Sequence, residues 1–213
     1  MDRKIADIRK DYKLQSLNET ELAAGAMDQF GIWWNEAIKS DIDEVNAMTL
    51  ATCDKNLIPH ARIVLLKDFD ENGFVFFTNY NSHKANEIAE NHNAALLFFW
   101  KELERQVRIE GLIEKIAENE SDEYFQSRPV GSRIGAWASP QSSVIPSREV
   151  LDENTQKWLD AFGDNIPRPA HWGGYCLIPR TIEFWQGRSS RLHDRFLYTR
   201  ANSSNWRIER LAP

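Results

Sequence analysis

The strongest constraint on this chain is a series of short, branched or aromatic segments separated by turn residues, beginning near Val45. Residues 45–53 read as a strand, and Arg62-Ile63-Val64-Leu65-Leu66-Lys67 as a second. Asp70-Glu71-Asn72-Gly73 supplies a hairpin turn, since Asn-Gly favours the positive φ such turns need. Residues 73–79 return as a strand, 94–100 form a buried one, and 105–116 alternate with Val107 and Ile109 facing one way and Gln106, Arg108 and Glu110 the other. Strands are also expected at 174–178, 181–186, 195–198 and 206–211. Helices are expected over 27–39, with Phe30, Trp33, Trp34 and Ile38 near helical spacing, over a short stretch capped by Asn81-Ser82, and over 122–127, 132–138 and 147–162. Many strands with few intervening helices predict a mainly β, α+β fold closed into a barrel rather than a doubly wound sheet.

No repeat or low-complexity linker divides the 213 residues, so a single domain over 1–213 is expected, with 1–40 as an N-terminal arm and helix. Lys and Arg number 26 against 32 Asp and Glu, a formal net charge of −6, which argues against a nucleic-acid partner. Any bound anion must be held by a local cluster. The start Met1-Asp2-Arg3-Lys4-Ile5 has no apolar stretch fit for a signal peptide, and the longest apolar run, 94–100, is too short to cross a bilayer, so no membrane role is expected. Cys53 and Cys176 stand far apart, which excludes a disulfide framework and makes the reducing cytoplasm the default address. His60, His92 and His171 match no metal-ligand spacing; packing is the better reading, and no metal is expected. Phosphate-loop, dinucleotide, zinc-hydrolase and serine-hydrolase motifs are all missing.

Three clusters carry chemistry. Arg62 and Lys67 bracket an apolar strand, and Ser82, His83 and Lys84 open a helix; together they make an anion cradle, although strand edges and a helix cap explain each one singly. Strict alternation puts Arg62 and Lys67 on opposite faces. Tyr124, Arg128, Ser132 and Arg133 offer a phenol, guanidinium groups and a hydroxyl for a second phosphate, against the plainer role of Arg128 at a helix C-terminus. Arg191-Leu192-His193-Asp194-Arg195, beyond Trp185 and Gly187, is dense for a structural turn, and His193 suits acid/base work near neutral pH. Gln141-Ser142-Ser143 is a polar patch that suits either a ligand or a turn.

Arg62-Ile63-Val64-Leu65-Leu66-Lys67, Glu104-Arg105-Gln106-Val107, Ser127-Arg128-Pro129, Ile134-Gly135-Ala136-Trp137, Gln141-Ser142-Ser143 and Trp172-Gly173-Gly174 resemble the pyridoxamine 5'-phosphate oxidase family. The most specific matches are Glu183-Phe184-Trp185-Gln186-Gly187 and Arg191-Leu192-His193-Asp194-Arg195, and the resemblance runs from Arg9-Lys10-Asp11-Tyr12 to Arg210-Leu211-Ala212-Pro213. It implies an FMN-binding split β-barrel, a homodimer with FMN at the subunit interface, and oxidation of pyridoxamine or pyridoxine 5'-phosphate to pyridoxal 5'-phosphate. Oxygen would accept the electrons and leave as hydrogen peroxide. A carrier of FMN or pyridoxal phosphate without turnover, and a flavin reductase, are the alternatives.

Carried over by position, the resemblance assigns FMN to Arg62, Ile63, Val64, Leu65, Leu66, Lys67, Phe77, Thr78, His83, Lys84, Gln106, Gln141, Ser142, Trp185 and Arg195. It assigns the substrate to Lys67, Tyr124, Arg128, Ser132, Arg191, Leu192 and His193, with Arg9, Lys10, Asp11 and Tyr12 as a lid, and catalysis to Arg191 and His193. Two positions depart from the family pattern: His83 stands where Arg is expected beside Lys84, and Phe77 where Tyr is common.

Overall fold

Period-two burial organises the strands, because successive side chains on a pleated strand face opposite ways. The computed structural model describes Ile5, residues 10–202 and residues 205–213; Arg9 lies outside the described residues. Within them the order is α1 (Ala26–Lys39), β1 (Ala47–Cys53), β2 (Pro59–Leu65), β3 (Asp68–Phe69), β4 (Phe74–Asn79), α2 (His83–Glu90), β5 (Asn93–Trp100), β6 (Arg105–Lys115), α3 (Glu118–Ser127), α4 (Val130–Ala138), α5 (Glu149–Phe162), β7 (Trp172–Gln186), β8 (Asp194–Arg200) and β9 (Trp206–Arg210). The strands run in the order β2-β1-β5-β6-β7-β4-β3, with β8 paired to β7 and β9 to β8. β3 with β4, β7 with β8 and β8 with β9 pair antiparallel, as neighbours along the chain joined by short turns do, and β4 pairs antiparallel with β7 across a long connection. No helix among the described residues is long and apolar enough to cross a membrane.

The chain resolves into two compact units. The first takes in the described residues up to Thr49, Ala95–Glu110, and the chain from Pro179 onward. Helix α1 buries Ala26, Phe30, Trp33 and Ala37, spaced by four, three and four residues and so on one face. Phe30 packs on Phe98 (ring centroids 5.4 Å apart) and Trp33 meets Phe184 edge-on at 5.2 Å. Phe30 and Trp33 lie on the expected face and Trp34 is half-buried beside it, but Ile38 is exposed and Ala37 takes the inward place. Arg105, the first residue of β6, is buried on the face that alternation shares with Val107 and Ile109, an unusual place for a guanidinium. It donates to Gln186 Oε1 (2.8 Å), pairs with Glu36 and Gln15, and lies over the Trp33 ring at 4.3 Å.

The second unit comprises Leu50–Ala94 and Gly111–Ile178. Asp70 Oδ1 accepts from the N–H groups of Asn72 (2.8 Å) and Gly73 (3.2 Å), which shapes the β3–β4 turn. A side chain at Gly73 would put its Cβ 2.1 Å from the Leu177 carbonyl oxygen, so only glycine fits this close approach. Helices α3 to α5 bring Phe125 and Ile134 together with Ile166 and Trp172 in a local core, flanked by Trp137, Trp158 and Phe162.

Two strand expectations are corrected. Residues 174–178 and 181–186 belong to one continuous strand, β7. Pro179 falls between the stretch registered with β4 and that registered with β8, so its missing N–H interrupts neither ladder. Strand β2 ends at Leu65, two residues before Lys67.

Candidate active site

The early end of β2 removes the conflict between Arg62 and Lys67. Beyond the strand the alternation no longer applies, and the Lys67 N–H instead donates to the Val75 carbonyl at 2.9 Å. Both side chains line one cavity of about 580 Å³ in the second unit, with Ile63, Val64, Leu65, Phe77, Thr78, Lys84, Tyr124, Arg128, Ser132 and Gln141. Leu66 is buried in the core instead. Arg62, Lys67 and Lys84 of the first cluster thus share a single chamber with Tyr124, Arg128 and Ser132 of the second, while Ser82, His83 and Arg133 do not line it.

One end of that chamber is built by Lys84, in the first turn of α2. Its Nζ donates to Thr78 Oγ1 (3.2 Å), Gln141 Oε1 (3.3 Å) and Ser82 Oγ (3.4 Å). Burial, and then the nearby Arg62 charge, hold the ammonium's pKa below its ordinary value. An anion here would relieve both penalties. Ser82 occupies the N-cap position, but its hydroxyl caps no backbone N–H; it receives Lys84 instead. The Arg62 guanidinium is braced from behind: Nη2 contacts Glu87 Oε2 at 3.1 Å, and Nη1 donates to Thr52 Oγ1 and the Leu50 carbonyl. Burial pushes the Glu87 carboxyl up, but hydrogen bonds from Thr52 and Arg62 outweigh it and hold the pKa low. Thr52 and Glu87 escaped the sequence reading; the one local signal is that Thr52 follows Met48 and Leu50 on the inward face of β1.

The other end is aromatic and cationic. Tyr124, Phe77 and Trp172 form a stack, with Tyr124 4.0 Å and Trp172 5.4 Å from Phe77. The Arg128 guanidinium lies 4.5 Å over Trp172, and its buried Nη1 has no hydrogen-bond partner. Burial lowers its pKa. Arg128 is the C-cap of α3 in extended conformation, so it reaches the cavity from beyond the helix rather than from a shared face with Tyr124. A partly desolvated guanidinium with one unpartnered nitrogen, in a cavity that Ser132 also lines, has the chemistry to receive an oxyanion.

Arg191 and His193 line a different cavity, of about 450 Å³ in the first unit, with Lys10, Asp11, Tyr12, Arg188 and Ser190. Ser190 and Arg191 both have left-handed φ (56° and 62°), a conformation that costs non-glycine residues on the order of 1 kcal/mol each. The Arg188 N–H donates to His193 Nδ1 at 3.1 Å, so in the neutral ring the proton sits on Nε2. Burial first, and then the charges of Arg191 and Arg195, push the His193 pKa down. The ring packs 4.5 Å from Trp185, and Tyr12 meets both edge-on. A Cβ on Gly187 would lie 2.8 Å from the Tyr12 ring, so glycine admits the arm there.

That arm is tied by Glu104, a buried residue at φ 53°. Its Oε2 accepts the N–H groups of Lys13 (2.9 Å) and Leu14 (3.1 Å), and its Oε1 pairs with Lys10 at 3.1 Å. Its carbonyl receives the Gly187 N–H at 2.7 Å. The remaining expected residues line neither cavity. Arg195 is held by Glu183 (2.7 Å) and the Ala212 carbonyl (2.8 Å), Gln106 is half-buried on β6, Leu192 is exposed, and Ser142 follows Gln141 at φ 69°. His83 turns to Glu87, 3.5 Å away.

Comparison with known proteins gives this geometry a lineage. Residues 34–161 match the family described as pyridoxamine 5'-phosphate oxidase, and residues 172–213 match the pyridoxine 5'-phosphate oxidase C-terminal dimerisation region. The pyridoxine/pyridoxamine 5'-phosphate oxidase of Trichormus variabilis is 58% identical, with all of both chains covered. Among solved structures, PhzG from Burkholderia lata 383, in complex with tetrahydrophenazine-1-carboxylic acid, matches with TM-score 0.88 and 28% identity over 96% of this chain and all of that one. A pyridoxamine 5'-phosphate oxidase-related, FMN binding protein from Nostoc punctiforme matches with TM-score 0.72 and 18% identity over 90% of this chain and all of that one, which bears on the fold alone and agrees with the split β-barrel expected. The chain belongs to the pyridoxamine 5'-phosphate oxidase family.

Proposed function

We propose that this chain oxidises pyridoxamine 5'-phosphate and pyridoxine 5'-phosphate to pyridoxal 5'-phosphate, using FMN, with oxygen as acceptor and hydrogen peroxide as product. When the amine is the substrate, water supplies the aldehyde oxygen and ammonia leaves. The observation that carries this reading is the chamber where Arg62, Lys67, Lys84 and Arg128 converge, Arg128 with a buried Nη1 that has no hydrogen-bond partner. Four cations around one cavity of a net acidic chain favour phosphorylated ligands. The volume suits a cofactor-sized molecule, and the Lys84 end and the aromatic Arg128 end offer separate anchors.

In this reading Arg62 and Lys84 hold the FMN phosphate, while Lys67, Tyr124, Arg128 and Ser132 hold that of the substrate. Bound FMN supplies the two-electron acceptor that carbon–hydrogen oxidation needs. Arg191 and His193 orient the substrate ring, and the Nε2–H tautomer makes His193 a hydrogen-bond donor to a ring oxygen. Lys10, Asp11 and Tyr12 cover this second cavity, and Glu104 sets their position. The dimerisation-region match supports a homodimer, in which this reading sets FMN at the subunit interface, and the free thiols of Cys53 and Cys176 suit the cytoplasm.

Anaerobic addition of pyridoxamine 5'-phosphate to the yellow purified protein should bleach the flavin band, and air should restore it with stoichiometric peroxide. Bleaching by a reduced nicotinamide alone would make the chain a reductase. Colour that persists with both would make it a carrier.

A further inference from the structure

Behind the chamber, on the outer side of Arg62, two histidines converge on the buried carboxylate of Glu87. His60 Nδ1 lies 2.5 Å and His83 Nδ1 3.5 Å from Glu87 Oε1, and the two rings are 4.8 Å apart. His83 and Glu87 are one turn apart on α2, and His60 comes from β2. One ligand atom from each residue fits within a span of 4.8 Å. His60 Nδ1 and Glu87 Oε1 are both buried and face each other at ion-pair distance, with no other polar partner than His83.

We infer that His60, His83 and Glu87 form a site for a divalent transition-metal ion of the zinc or copper type. Two imidazole nitrogens and one carboxylate oxygen are a donor set that such ions prefer, whereas magnesium and calcium need an oxygen-rich shell. An entering ion replaces the His60–Glu87 contact, with the imidazole nitrogen and the carboxylate oxygen moving apart to bind it. The carboxylate is already aimed, because Thr52 and Arg62 hold its other oxygen. The His83 side chain is 60% and that of His60 38% exposed, so solvent reaches the ion and can complete its coordination. Arg62 and Lys84 oppose a cation nearby, which makes this a moderate-affinity site rather than a permanent structural one. The inference does not depend on the oxidase reading, since no ligand atom lines the chamber.

The test uses the full chain, free of affinity tag and dialysed against chelator. Calorimetric titration with Zn²⁺ should give one ion per chain, and His60→Gln and His83→Gln should each weaken binding by more than about tenfold. Frozen-solution electron paramagnetic resonance of the Cu²⁺-loaded wild type should show coupling to two nitrogen nuclei. A copper spectrum with fewer than two nitrogens overturns the site without recourse to any variant. So does Zn²⁺ affinity that survives unchanged in the double variant His60→Gln/His83→Gln.

Discussion

At Arg128, burial fits a common side chain to the anion-binding role proposed for it. Its guanidinium rests on Trp172, loses water, and keeps Nη1 unpartnered. A charge-assisted hydrogen bond made there is worth about 1.5–3 kcal/mol. Arg128→Ala should therefore raise KM for pyridoxamine 5'-phosphate by about 10- to 100-fold while kcat changes far less, as steady-state kinetics would read. A loss confined to kcat would contradict phosphate binding. His193 works by the opposite logic, since its value lies in staying neutral. With its pKa pressed below the ordinary 6.5, the ring keeps Nδ1 as acceptor for the Arg188 N–H at neutral pH. As pH falls through the lowered pKa, Nδ1 gains a proton that faces that N–H, and the contact is lost. The acid limb of kcat/KM should accordingly fall below pH 6.5, and His193→Asn should flatten it. An acid limb centred above 6.5 would assign it to another group.

At the level of elements, the segment before α1 has no regular structure over residues 10–18, yet it is fixed. Glu104 replaces secondary structure as its anchor by taking two backbone N–H groups and the Lys10 ammonium. Its left-handed backbone turns the chain between β5 and β6, and its side chain then serves the arm. Glu104→Gln keeps the shape but weakens three charge-assisted contacts to ordinary ones. Limited proteolysis should then cut near Tyr12 several-fold faster, with KM rising in parallel and the flavin still bound. Unchanged protection would mean that the arm is held by Tyr12 packing on Gly187 and Trp185 instead. The strained Ser190–Arg191 turn belongs to the same neighbourhood. The backbone holds Arg191 in a costly conformation where the catalytic guanidinium is expected.

For the molecule as a whole, Asp194 joins distant parts of the chain. It accepts from the Leu17 N–H (3.1 Å) and pairs with Arg188 and Arg210, each at 2.8 Å. Burial raises its pKa, but Arg210, Leu17 and Arg188 together bring it below 3.8. A depressed carboxylate contributes its stability above the unfolded pKa and loses it as pH falls through the folded one. Asp194→Asn should cost about 1–2 kcal/mol in urea unfolding at pH 7, by weakening the contacts of a buried carboxylate to the Leu17 N–H and to two partly exposed arginines. The gap from wild type should narrow below pH 3.8; a gap that is constant with pH would show that packing, not charge, carries the loss. Much of this architecture was legible in advance, because strand alternation, the Asp70–Gly73 turn and the α2 start are set by neighbours along the chain. The anion residues, too, were named from their side-chain chemistry. Their grouping was not. That Arg62 and Lys67 share a chamber follows from β2 ending at Leu65. That His60, His83 and Glu87 meet follows from a strand crossing a helix turn. Local sequence determines which way each backbone segment turns and which residues bring charge, since those depend on sterics and chemistry within a few bonds. Which charges meet, and which lose their water, depends on contacts between residues far apart in the chain, and only the tertiary structure decided that.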